Sequence, residues 1–260
     1  MRKTLQNPSF RAIEWCNGPV HGFVSREPSG KPHTITRLHT VVGSRTFDFT
    51  PGNTYFLYQY RGQSWLRGET PLLKDHYAVA SYKNEWVAGS DDSLLMIIEQ
   101  EGKEAPFLLG GPIEAEGRLK YIDGCTDSLL LAPWKYGEPC LNHLHFPENI
   151  DQTMHTHPSV RIGLVVRGMG ECITPFGNIP LYPGQLFFIY PENGNVLPGL
   201  DGKEHLEGSH CFRTPEGSEM DVVAFHPDSD FGPKDEDHPM VNKTIVAGVS
   251  AAHIPEIRTQ

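Results

Sequence analysis

Two histidines stand one residue apart in Met154-His155-Thr156-His157-Pro158. Neutral imidazole is the side chain most often found on a protein-bound metal ion. The pair opens onto Val160-Arg161-Ile162-Gly163-Leu164-Val165-Val166, which reads as a strand. Side chains alternate faces along a strand, so His155 and His157 project to one side with Cα atoms about 6–7 Å apart. From that spacing two imidazoles can converge on one ion. Imidazole suits Zn, Fe, Cu and Ni alike, so the pair does not name the metal.

Carried along the same strand, the histidine side continues through Ser159, Arg161, Gly163, Val165 and Arg167. The other side takes Val160, Ile162, Leu164 and Val166 and is wholly apolar. An apolar strand face needs a cover, supplied either by the first half of the chain or by a second subunit. Two stacked β layers and a homodimer are therefore expected. Arg161 is the second residue with chemistry to offer. A guanidinium beside metal ligands is partly desolvated and needs an anionic partner. That partner is either an internal acid such as Glu171 or Asp221, or the carboxylate of a substrate, which Arg grips at two points.

Two histidines do not complete a site. A third ligand must come from a neighbouring strand, and His143, His145, His205, His210, His226 and His238 are available. His210 is the first choice, in Ser209-His210-Cys211-Phe212-Arg213-Thr214, after a Gly- and Pro-rich loop and before the strand Met220–Phe225. His143 and His145 form another one-apart pair. They either orient the ligands through hydrogen bonds or are ordinary hydrogen-bonded strand histidines. Asp228 and Asp230, after His226, read as caps of a turn.

The elements that must position these residues are short strands. Gly (26) and Pro (22) punctuate the chain throughout its 260 residues, and no amphipathic helix of four turns stands out. Strands are expected at Thr54–Tyr60, Leu94–Glu99, Ser128–Leu131, Cys140–Phe146, Val160–Val166, Gly170–Thr174, Gln185–Tyr190 and Met220–Phe225, with a short helix near Lys3–Glu14. The fold class is all-β, a sandwich or barrel. Residues 110–117 read as a linker. They divide the chain into residues 1–115, residues 116–245, which hold the dense histidine signals, and a surface tail, 246–260. A repeat is suggested by Pro51-Gly52 before the strand at Thr54 and Pro183-Gly184 before the strand at Leu186.

The formal charge of −10 comes without any basic stripe, which argues against nucleic acid and anionic membranes as partners. No apolar run approaches the roughly 20 residues of a membrane span. The first twenty residues do not read as a signal peptide, so a cytoplasmic location is expected. Cys16, Cys125, Cys140, Cys172 and Cys211 are scattered singly and read as reduced, buried apolar residues.

With these residues in place, the chain resembles the cupin superfamily, small β-barrels that hold a metal at one end. The family's first motif runs Gly, five residues, HxH, three or four residues, Glu, six residues, Gly. Here His155-Thr156-His157 and Gly168 match, Arg161 stands where the Glu belongs, and Asn149 stands where the first Gly belongs. Of the second motif, Gly177 and Pro183 match. Asn193 to Gly208 looks like an insertion that displaces the motif's histidine to His210. The resemblance implies a bicupin whose first barrel is degenerate and whose second holds a divalent metal on His155, His157 and His210. It further implies an Fe(II) oxygenase acting on a small, anionic organic substrate that Arg161 fixes, with Arg167 and Met154 nearby. A Zn- or Mn-dependent lyase or isomerase, with Glu171 or Asp221 as base, is the second possibility, Ni is a further metal, and a non-catalytic ligand-binding barrel is the third.

Overall fold

The computed structural model describes residues 5–15, 18–25, 34–81, 85–135, 137–228, 245–250 and 253–254, with 18–25 and 34 given by backbone alone. The described chain is nearly all strand; its one named helical element is the 3-10 turn Ile122–Gly124. The expected strands form within a residue or two of their expected ends, and Cys140–Phe146 has the same bounds.

Strands assemble into two barrels, each with a large and a small sheet. The first barrel's large sheet runs, in spatial order, Leu108–Gly110, Tyr77–Ala80, Thr54–Arg61, Leu94–Gln100, Thr34–Val42 and Gly18–Ser25. The second barrel repeats that order with Phe10–Ile13, Leu186–Ile189, Arg161–Gly168, Met220–His226, Cys140–Phe146 and Thr126–Leu131, plus edge strands Leu5–Gln6 and Leu119–Lys120. The repeat extends to single hydrogen bonds. Asp75 N donates to Gln59 O and Gly184 N to Val165 O, both at 2.7 Å. Asp75, with φ 63°, thus occupies the left-handed turn position that Gly184, with φ 86°, fills in the second barrel. Pro51-Gly52 leads into the counterpart of Arg161–Gly168, so it is not the partner of Pro183-Gly184.

The N-terminal segment corrects one expectation. Instead of a helix, the described residues form the strands Leu5–Gln6 and Phe10–Ile13. Pro8 cannot donate a helical hydrogen bond. Asn7 Oδ1 accepts from Ser9 N (2.9 Å) and Phe10 N (3.0 Å), the Asx turn that reverses the chain. Phe10–Ile13 then pairs with Leu186–Ile189, so these early residues complete the second barrel's sheet.

Alternation decides what each barrel buries. Ile162, Leu164, Val166, Val223 and Phe225 face the first barrel, where they meet Phe56, Tyr58, Met96 and Ile98 in one core. Phe56 and Phe225 pack edge to face at 4.9 Å, a geometry worth about 1 kcal/mol beyond burial. The first half of the chain is therefore the cover that the apolar face required. A second subunit is not needed for that purpose. Val165, Phe187, Val222 and Ala224 point the other way, into the second barrel.

Candidate metal centre

The second barrel's small sheet, Ile179–Leu181, Gly170–Ile173 and Cys211–Arg213, carries the site at its edge. The segment from Asp151 to His155 runs antiparallel to it: Asp151 bridges Arg213, Gln152 N donates to Phe212 O, and His155 bridges His210. His155 and His157 thus precede the strand Arg161–Gly168 and are not part of it. Pro158 has no N–H for a ladder, and the chain bends at Pro158–Ser159 before the strand begins. The pair still converges with its third partner.

His155, His157 and His210 each offer a ring nitrogen, and these atoms lie within 4.8 Å of one another. Ring centroids are 5.0 Å apart for His155–His157, 4.5 Å for His155–His210 and 5.1 Å for His157–His210. Backbone carbonyls set two of the tautomers. His155 Nδ1 donates to Thr153 O and His210 Nδ1 to Gly208 O, both at 2.8 Å, leaving each Nε2 with its lone pair free. His210 Nε2 is buried without any hydrogen-bond partner. Burial pushes His210 down to about 3, and burial followed by the nearby Arg161 charge pushes His157 far below the usual range. Both rings are therefore neutral, the form that binds a cation. The donor set fits a divalent metal.

Arg161 is buried beside the triad and lines the same cavity, together with Tyr121, Phe146, Phe187, Phe212 and His226. The cavity is narrow, about 20 Å³, and largely apolar-walled. Arg161 has an internal partner, which is neither Glu171 nor Asp221. Its Nη1 donates to Asp228 Oδ1 at 3.1 Å and to Ser159 Oγ, while Ser159 Oγ also donates to Asp228. Arg161 Nε remains buried without a partner.

Several expected contributors lie elsewhere. A bulge between Val165 and Arg167 turns Arg167 out of the barrel, where its Nε donates to Asp221 Oδ2 at 3.0 Å. His143 and His145 donate to Asp221 Oδ1 at 2.7 and 3.1 Å, on the face shared with Leu141, Val223 and Phe225. They are hydrogen-bonded strand histidines and do not touch the triad. Burial would push the Asp221 carboxyl up, but the bonds from His143 and Arg167 hold it below the usual range. Glu171 lies outside, near Arg213 and Asn178. His205 bonds Asp201 at the surface, Met154 is exposed, and His238 and Asp230 fall outside the described residues. His226, one of the candidates for the third ligand, lines the cavity but is not among the three converging rings. Asp228 was missed as the partner of Arg161 because nothing in its sequence setting separates a turn cap from an ion-pair partner.

The first barrel has the same frame with other described residues at two of the candidate ligand positions. Phe49 N donates to Glu85 O at 2.9 Å, as His155 N does to His210 O. Phe49 and Glu85 thus occupy the stations of His155 and His210, and Phe49 stacks on Tyr55 at 4.1 Å where the second barrel has its cavity.

No family model and no curated protein matches the sequence. Solved structures do. A cupin 2 conserved barrel domain protein from Leptotrichia buccalis superposes with a TM-score of 0.51 at 10% identity, covering 86% of this chain and 91% of its own. The chain has a cupin fold. Protein Ylba from E. coli matches this bicupin over 88% of its length and 95% of Ylba, with TM-score 0.53 and 14% identity. A mutant of salicylate 1,2-dioxygenase from Pseudoaminobacter salicylatoxidans matches at TM-score 0.50 and 6% identity, over 75% of this chain and 70% of that one. At these identities the likeness concerns the fold. Among the described residues, no helix is long and apolar enough to cross a membrane.

Proposed function

We propose that this cupin holds a divalent metal, Fe(II), on His155, His157 and His210, and that it is a dioxygenase for a small anionic organic substrate. The observation that carries the reading is the buried, unpartnered His210 Nε2 among three convergent imidazoles, next to a buried guanidinium with an unused N–H. When bound, Fe(II) supplies open coordination positions where substrate and dioxygen meet.

The chain's own residues do the rest. Thr153 O and Gly208 O hold two of the rings in the ligating tautomer. Arg161 receives the acidic group of the substrate through the N–H that Asp228 leaves free. Phe146, Phe187 and Phe212 exclude water from the reacting end and define an apolar slot for the substrate body. A lyase or isomerase that needs a carboxylate base is less well supported. Among the described residues no Asp or Glu lines the cavity, and both sequence candidates, Glu171 and Asp221, face elsewhere. A homodimer and a cytoplasmic location belong to the same reading; light scattering and cell fractionation test them.

The deciding experiment loads metal-free protein anaerobically with Fe(II), counts bound iron, then follows oxygen uptake with a panel of small carboxylates, diketones and phenols. Stoichiometric iron with substrate-dependent uptake supports the proposal. Zinc retention with no oxygen consumption on any member overturns it.

A further inference from the structure

The unspent polarity of the cavity is not confined to the metal end. Ile162 pairs with Phe225, and by that register Arg161 and His226 sit side by side on adjacent strands, both facing inward. Every hydrogen bond that Arg161 makes to a described residue runs through Nη1, to Ser159, Val160 and Asp228. Those anchors fix the plane of the guanidinium and leave Nε directed away from them. The His226 ring makes no hydrogen bond to the side chain of another described residue. Its imidazole has a donor and an acceptor to offer, next to a cation, against walls formed by Ile189, Val222 and Ala224.

The first barrel shows that the fold does not require this. Phe56 pairs with Ile98 there, so Tyr55 and Glu99 occupy the stations of Arg161 and His226. Glu99 is saturated by His39, Asn53 and Tyr55 at 2.7, 2.6 and 3.1 Å. One barrel satisfies its polar pair internally; the other leaves Arg161 Nε buried without a partner, with the half-buried His226 ring beside it. A buried polar atom is normally satisfied, so the partnerless Nε implies an external partner.

We propose that Arg161 and His226 form a two-point receptor for a carboxylate bearing an oxygen on the adjacent carbon, a 2-hydroxy or 2-oxo acid, with Asp228 as the residue that positions Arg161. The inference refines the anionic-substrate reading above, but the receptor itself needs no metal. Arg161 takes the carboxylate and His226 reads the second oxygen, donating to a carbonyl or accepting from a hydroxyl.

The test is titration of the full-length protein, as purified and after chelation, with propanoate, 2-hydroxypropanoate and 2-oxopropanoate, followed by calorimetry and by NMR shifts of histidine rings. The oxygenated acids should bind wild type about tenfold more tightly than propanoate. His226→Leu should erase that preference while leaving propanoate binding within about twofold. Asp228→Asn should weaken all three acids together and keep the preference. His226→Gln, which retains one donor and one acceptor, is the control if the leucine variant melts early, and should keep part of the preference. Equal binding of the three acids to wild type, or an undiminished preference in His226→Leu, overturns the receptor. So does failure of all three to bind, whatever the iron count. Acids that bind with this pattern to a protein that takes up no metal would uphold the receptor and overturn the metal reading.

Discussion

His155 and His210 exchange both backbone hydrogen bonds, His155 N to His210 O at 2.9 Å and His210 N to His155 O at 3.0 Å. Such a closed pair holds two Cα atoms about 5.5 Å apart. Two candidate ligands from distant parts of the sequence are thus clamped by the main chain itself, and their rings meet at 4.5 Å. The side chains need no ion to bring them together.

The first expected outcome follows from that clamp. His210→Ala should lower bound metal at least about tenfold, with little loss of stability, because the main-chain bridge survives. His143→Ala should do the reverse. It strips a partner from the buried Asp221 and should cost about 2 kcal/mol while metal content is unchanged. Elemental analysis and thermal melts on the two variants check both.

Arg161→Leu should keep the metal but abolish carboxylate binding. It also leaves Asp228 and Ser159 without their cation, so a modest fall in melting temperature is expected. Arg161→Lys keeps the charge but loses the planar fork, and should bind carboxylate about tenfold more weakly than wild type. Titration calorimetry with the metal counted before and after gives the answer.

Glu99 predicts an acid limb. Burial would push its carboxyl up from 4.5, but the hydrogen bonds from His39, Asn53 and Tyr55 outweigh burial and bring it down to about 2. The unfolded chain therefore takes up this proton before the folded one. The stability Glu99 contributes is complete above about pH 4.5 and fades as pH falls toward 2. Glu99→Gln should melt lower at neutral pH, and its melting temperature should fall less steeply between those two values.

Gly168 ends the strand that carries Arg161, with φ 64°. A Cβ there would lie 1.8 Å from Glu219 O, a backbone atom that cannot move aside. Gly168→Ala should cost about 3 kcal/mol or more, combining left-handed strain with a main-chain clash. Denaturant unfolding measures it.

Much of this was legible in the sequence because the physics was local. β-branched and aromatic runs marked the strands, and alternation placed Arg161 and Val165 inside and Ile162, Leu164 and Val166 beneath a cover. His210 stood out because it leads a strand after a loop. What was hidden was nonlocal or a matter of one residue. The bulge that turns Arg167 outward is a single-residue slip, invisible in an alternating pattern. Asp228 looked like a turn cap because its partner lies far back in the chain. The Asn7-Pro8-Ser9 turn hid a hairpin within a segment read as helix, and Asp75 concealed the repeat by taking a position where the second barrel has Gly184.

The pairing of Phe10–Ile13 with Leu186–Ile189 has a kinetic cost. A strand this far upstream of its partner cannot find its place until the intervening residues have been synthesised. Until then it presents an unpaired edge rich in apolar side chains. Closing so long a loop is slow, because its entropy is spent before any contact repays it. The second barrel should accordingly be the later one to mature, and its early strand the segment most in need of shelter until Leu186–Ile189 has been made.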